Sequence, residues 1–143
     1  MTQVGFYLLE DIAPQRIQHT ACRLINKAYR QGLGVYVHAA SPEGVAEIDQ
    51  LLWTFRQGSF VPHVALAQED GVSPVLVGCD AEPPTRLSDV LVNLTDQIPL
   101  FFSRFERVVE IIGATETLRT AGRERYRFYR DRGYTLQTHT LAA

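Results

Sequence analysis

PVLVGCDAEPPTRLSDVLVNL, residues 74–94, holds two short apolar runs, PVLVGC and DVLVNL, with Pro83 and Pro84 between them. Neither run alternates polar with apolar side chains. Each therefore reads as a strand buried on both faces, the kind found inside a sheet that is covered on two sides. Upstream, VGFYLL (Val4 to Leu9) and GVYVHA (Gly34 to Ala39) read the same way, and downstream so does RVVEIIG, ending at Gly113. IPLFFSRF is aromatic-rich and left unassigned, and SFVPHVAL follows Gly58.

Helical patterns lie between these runs. From Pro14, the residues Ile17, Ala21, Leu24, Ile25 and Ala28 recur at three- and four-residue intervals, and Gly32 stands where a helix C-terminus is expected. Ser41 and Pro42 are an N-cap and first-turn pair, followed by the stripe Val45, Ile48, Leu51, Leu52 and Phe55. A closing helix is expected from about Thr115 to Asp131, stopped by Gly133. Strands alternating with helices predict an α/β chain: a single three-layer Rossmann-like domain over residues 1–143, with a mostly parallel sheet flanked by helices and no P-loop.

Composition narrows the function. The chain has 143 residues, 45% of them hydrophobic, enough for a sizeable core without disulfides or metals. No run of about 18 apolar residues is present, and MTQVGFYLLE lacks the basic start and long apolar core of a signal peptide. Cys22 and Cys79 stand far apart, which fits a reduced cytoplasmic protein. The net charge of −2 predicts no strong direct binding of nucleic acid. GLG at Gly32 to Gly34 follows a helix and precedes a strand, the wrong order for a dinucleotide site. There is no phosphate-binding loop and no GxSxG elbow, and His19, His38, His63 and His139 have no metal-ligand spacing. No cofactor or metal is expected. One catalytic alternative remains: a small enzyme or nucleotide binder using Glu10, Asp11 and His38, all near strand ends where α/β proteins bind ligands.

The charge is concentrated rather than abundant. Lys27 is the only lysine, and six arginines fall between Arg119 and Arg132. On a helix, Arg119, Arg123, Tyr126, Arg127 and Arg130 share an arc of about 100°. Leu118, Ala121, Phe128 and Tyr129 face the other way. Arg125 also points to the apolar side, so it must snorkel or find a partner. Basic residues suit a helix C-terminus, which would make the stripe an ordinary solvated face. Arginines four apart nevertheless repel, which favours an acidic partner. Trp53 lies off its helix's stripe beside Phe60, Val61 and Pro62; it either covers the core edge or anchors another protein.

FYLL near the N-terminus, LLW followed by SFVPH, and the late RERYRFYRDRGY together resemble the chi subunit of bacterial DNA polymerase III holoenzyme, in the same order along nearly the whole chain. The resemblance implies a non-catalytic accessory protein of the clamp-loader assembly, part of a polymerase holoenzyme. It implies binding of the acidic, phenylalanine-ended C-terminal tail of single-stranded DNA-binding protein at Ile112, Arg123, Tyr126, Arg127, Arg130 and Gly133. It further implies contact with the psi subunit through Trp53, Phe60, Val61 and Pro62. A helicase or another replication or repair protein is the alternative partner there.

Overall fold

The computed structural model describes residues 1–58 and 60–141. In chain order the elements are β1 (Gln3–Leu9), α1 (Gln15–Arg30), β2 (Val35–His38), α2 (Pro42–Thr54), β3 (His63–Ala65), β4 (Val75–Gly78), β5 (Val90–Asn93), β6 (Arg107–Ile112), α3 (Glu116–Asp131) and β7 (Thr135–Leu141). Short 3-10 turns occupy Leu66–Gln68 and Phe102–Arg104. The strands form one seven-stranded sheet in the order β3-β4-β2-β5-β6-β1-β7, and every pair is parallel. The expected three-layer α/β architecture is therefore present, with a sheet that is parallel throughout.

The apolar runs become the inner strands because both of their faces are covered. On one face Val35, Val37, Val75, Val77, Val90 and Val92 pack under α1 and α2, against Ala21, Ile25, Ile48 and Leu52. On the other, Phe6, Tyr36, Leu76, Leu91 and Val108 pack with Phe102, Phe105 and Tyr129. The two-residue period of a strand sends alternate side chains to these two cores. Helix ends follow the sequence signals: Pro14 precedes α1, Ser41 Oγ accepts from the Gly44 N–H at 3.1 Å, and Gly32 takes a φ of +80° after α1. Cys22 is buried, Cys79 is half-buried, and both are free thiols.

Two segments that the sequence reading left unassigned take definite form. IPLFFSRF turns through a 3-10 segment and inserts Phe102 and Phe105 into the core on the α3 side. TLQTHTL forms β7, which periodicity does not reveal. It is a mostly exposed edge strand, held by a seven-residue parallel register with β1 from Gln3↔Thr135 to Leu9↔Leu141. Backbone pairing fixes it rather than a buried apolar face.

The third helix is fastened by a buried charge. Glu110, in the middle of β6, is fully buried. Its Oε1 accepts from Arg125 Nε at 2.9 Å, and its Oε2 accepts from Tyr129 Oη at 2.8 Å and Asn93 Nδ2 at 3.0 Å. Arg125 Nη1 also donates to the Asp96 carbonyl at 3.2 Å. Burial pushes the Glu110 carboxyl above the usual carboxylate range, while the Arg125 guanidinium, Asn93 and Tyr129 pull it back. Burial and the Glu110 charge raise the Tyr129 hydroxyl, so it stays a donor. Arg125 thus finds the partner that its position on the helix demanded.

Removing one member of such a pair strands a buried charge. Arg125→Met is expected to lower the unfolding free energy by about 3–5 kcal/mol. Replacing both members, as Glu110→Leu with Arg125→Met, is expected to cost less than the single change. Urea denaturation of the two variants measures the difference.

Candidate functional site

The helix α3 is capped by Thr115, whose Oγ1 accepts from the Leu118 N–H at 3.3 Å. Its buried face is Gly122, Arg125 and Tyr129. A Cβ at Gly122 would lie 2.8 Å from Ile112 Cδ1, so only glycine lets the helix close onto β6 at this point. A glycine inside a helix costs about 1 kcal/mol, and here it gives close approach instead. The expected stripe forms on the far side: Arg123, Arg127 and Arg130 are exposed. Tyr126 is half-buried, its ring edge-on to Phe6 at 5.2 Å. Leu118 stays 38% exposed instead of packing fully.

Beside this stripe is an apolar notch of about 290 Å³. Its floor is Phe6, Leu8 and Ile112, with Gly122 in its wall, Thr138 of β7 at one side, and Arg119, Arg123 and Tyr126 around it. Arg119 Nη2 donates to the Leu9 carbonyl at 2.6 Å, which ties that guanidinium to the end of β1. Arg123 Nη2 donates to Thr120 Oγ1 at 3.3 Å, its one hydrogen bond among the described residues. Ile112, Arg123 and Tyr126 are therefore brought together at one cavity. Arg127 and Arg130 lie about 6 and 10 Å farther along the helix axis, at a rise of 1.5 Å per residue. Arg130 is paired with the neighbouring Asp131 at 3.1 Å, both well exposed. Gly133, at φ +81°, makes the turn into β7. Phe6, Leu8, Gly122 and Thr138 did not emerge from the sequence, because β1 reads simply as a buried strand and β7 not as a strand at all.

The second expected cluster is partly dispersed. Trp53 and Phe60 are 48% and 60% exposed, with ring centroids 5.4 Å apart, and Trp53 also lies 4.5 Å from the His63 ring. Pro62 is half-buried beside them. Val61 points the other way and is fully buried in the core under α2, so it cannot contact a partner. Ser59, the first residue of SFVPH, lies outside the described residues.

Glu10, Asp11 and His38 do not form a site. β1 and β2 are separated in the sheet by β6 and β5, which places their ends about 14 Å apart at some 4.8 Å per strand. Asp11 instead accepts from the Ala13 N–H at 2.8 Å and faces Arg16. His38 is packed by Tyr36 and Phe101. Among the described residues, no group of three or more His, Cys, Asp or Glu side chains is placed to hold a metal, and no helix is long and apolar enough to cross a membrane.

The DNA polymerase III chi subunit family, HolC, matches residues 1–137 of this sequence. The chain belongs to the chi subunit family of DNA polymerase III. Within chi, it is 44% identical over 141 residues to a DNA polymerase III subunit chi of Pseudomonas aeruginosa, covering 99% of this chain and 98% of the relative. The chi subunits of Haemophilus influenzae and Escherichia coli are each 28% identical, with 95% and 98% of this chain covered and 95% and 99% of theirs. Among solved structures, T4 UvsW superposes with a TM-score of 0.71 at 10% identity, covering 99% of this chain and 42% of that one. At that identity the likeness is one of fold alone.

Two outcomes test the geometry. Gly122→Val would drive α3 off Ile112, and overpacking predicts a loss of about 1–3 kcal/mol together with a narrowed notch, readable by thermal unfolding and by amide shifts of β1. Burial lowers the pKa of His38 from 6.5, against an opposing pull from Asp80, and leaves Nδ1 without a hydrogen-bond partner. The unfolded chain therefore takes up this proton more readily than the folded one. Stability should hold above pH 6.5 and decline as pH falls below it, and His38→Phe should flatten that decline in pH-dependent melts.

Proposed function

We propose that the notch beside α3 docks the acidic, phenylalanine-ended C-terminal tail of single-stranded DNA-binding protein. The observation that carries this reading is an apolar cavity with a guanidinium at its rim: Phe6, Leu8 and Ile112 below, Arg123 above. A terminal aromatic ring fills such a cavity, and its carboxylate meets a planar donor fork. Arg127, Arg130 and the turn at Gly133 continue outward in the direction that the acidic residues of an extended tail would run. Ring burial supplies most of the affinity, and the exposed arginines supply steering.

In this reading the chain is a single-domain, cytoplasmic, non-catalytic accessory protein that needs no cofactor. It joins single-stranded DNA-binding protein to the clamp-loader assembly. Trp53, Phe60 and Pro62 form the surface for the psi subunit, or for another replication or repair protein in its place. Two large exposed rings side by side suit such an anchor.

Calorimetric titration with the host's own tail peptide tests the tail site. Arg123→Ala and Tyr126→Ala should each weaken binding by more than about 1 kcal/mol, roughly fivefold, and the exposed Arg123→Ala should do so without lowering the melting temperature. Affinity should also fall with added salt, since exposed pairs are screened beyond about 8 Å at roughly 0.15 M. Unchanged affinity in both variants would remove the notch from the account.

A further inference from the structure

The opposite face of the sheet carries a second cationic site. Two adjoining concavities, of about 750 and 300 Å³, lie over β1 and β7 on the α1 side and share Tyr7 and His139. The larger is edged by Arg23, Lys27 and Arg30 of α1 and by Arg56 just after α2; the smaller is edged by Arg107 of β6. Among the described residues no Asp or Glu lines either one. Among the described residues none of these five cations forms an ion pair.

Helical spacing explains the larger cluster. Residues 23, 27 and 30 fall within about 60° on one side of α1, so three positive charges stand over the same strip of sheet. Like charges four apart destabilise a helix, and among the described residues no acidic side chain pairs with them. The floor of the smaller concavity is mainly polar, and the larger mixes polar side chains with Leu24, Phe55 and Leu141. The Tyr7 and His139 rings stack with centroids 4.8 Å apart and planes 19° apart. Gly5 leaves the floor of the smaller concavity bare, with Gln137 alongside. Asn26 lies in the floor of the larger one, only 6% exposed, and its Oδ1 has no hydrogen-bond partner.

We propose that this groove binds single-stranded nucleic acid. A run of cations along a strand length of about 20 Å suits a repeating phosphate backbone. The stacked Tyr7–His139 pair offers a platform for an unpaired base, and the amides of Asn26 and Gln137 are hydrogen-bonding groups suited to base edges. An acidic peptide is the competing occupant, since Leu24, Phe55 and Leu141 also line the larger concavity, and displacement by poly-glutamate distinguishes the two. A duplex is disfavoured too: its bases are already stacked, and the remainder of this net acidic chain repels it. Binding is weak at physiological salt, as a net charge of −2 requires.

Fluorescence anisotropy of a short labelled single-stranded oligodeoxynucleotide, titrated with the full chain at low salt, tests the assignment. Three to five phosphate contacts predict a log–log salt slope of about −2 to −3.5. The double variant R23E/K27E should lose at least about tenfold in affinity, and His139→Ala about fivefold. Arg123→Ala, on the other face, should bind like the parent, which keeps this test independent of tail docking. Amide shifts on adding oligonucleotide should cluster at Tyr7, Asn26 and His139. Equal binding by the parent and R23E/K27E, no binding at about 50 mM salt, or displacement by poly-glutamate at lower concentration than by unlabelled oligonucleotide would each overturn the proposal.

Discussion

The arrangement of α3 depends on the carboxylate of Glu110 buried beneath it. Three donors from two elements converge on that one group: Arg125 and Tyr129 from α3 and Asn93 from β5. A buried ion pair adds little net stability relative to apolar packing, because desolvation of both charges offsets their attraction. What it adds here is orientation. With Arg125 fixed inward, residues 123 and 127 stand about 200° around the helix in either direction and must face solvent, while Tyr126 is left at the edge. A slip of one residue would set Glu124 or Tyr126 against the Glu110 carboxylate in place of Arg125, leaving that charge without its guanidinium. The exposed stripe and the notch beside it are consequences of where one buried glutamate sits.

Much of this was legible in the sequence, for local reasons. Continuous apolar runs with few polar interruptions belong in a sheet covered on both sides, and Ser41–Pro42 marks a helix start by its own chemistry. The anomaly of Arg125 was visible as well, since helical geometry alone places it among apolar neighbours. Its partner was not visible. Glu110 lies 15 residues away inside RVVEII, and pairing across elements depends on sheet register, which short-range patterns do not contain. Strand β7 was hidden for a related reason: an edge strand paired through its backbone needs no apolar face, so TLQTHTL carries no period to read. In SFVPH, Phe60 and Val61 are neighbours in sequence yet face opposite ways, one to solvent and one to the core.

The sheet's edge accounts for the presence of two concave sites. Seven strands at about 4.8 Å span close to 29 Å, whereas a packed helix covers some 8–10 Å. Two helices on one face and one on the other cannot roof the whole sheet. The aromatic 3-10 segment with Phe102 and Phe105 fills part of the deficit on the α3 side. The outer strands β1 and β7 remain only partly covered.

Because β1 alternates, it serves both openings with different chemistry. Phe6 and Leu8 point toward α3 and make an apolar floor, while Gly5 and Tyr7 point toward α1 and make a more polar one. β7 repeats the division in parallel register, with Thr138 on one side and Gln137 and His139 on the other. A shift of β7 by a single residue would exchange these faces at once, moving His139 to the notch and Thr138 to the groove. The parallel β1–β7 ladder is thus under a constraint stronger than its few buried side chains suggest. It must hold its register for two surfaces on opposite sides of the sheet, which is reason enough for an exposed polar edge strand to be paired along all seven residues.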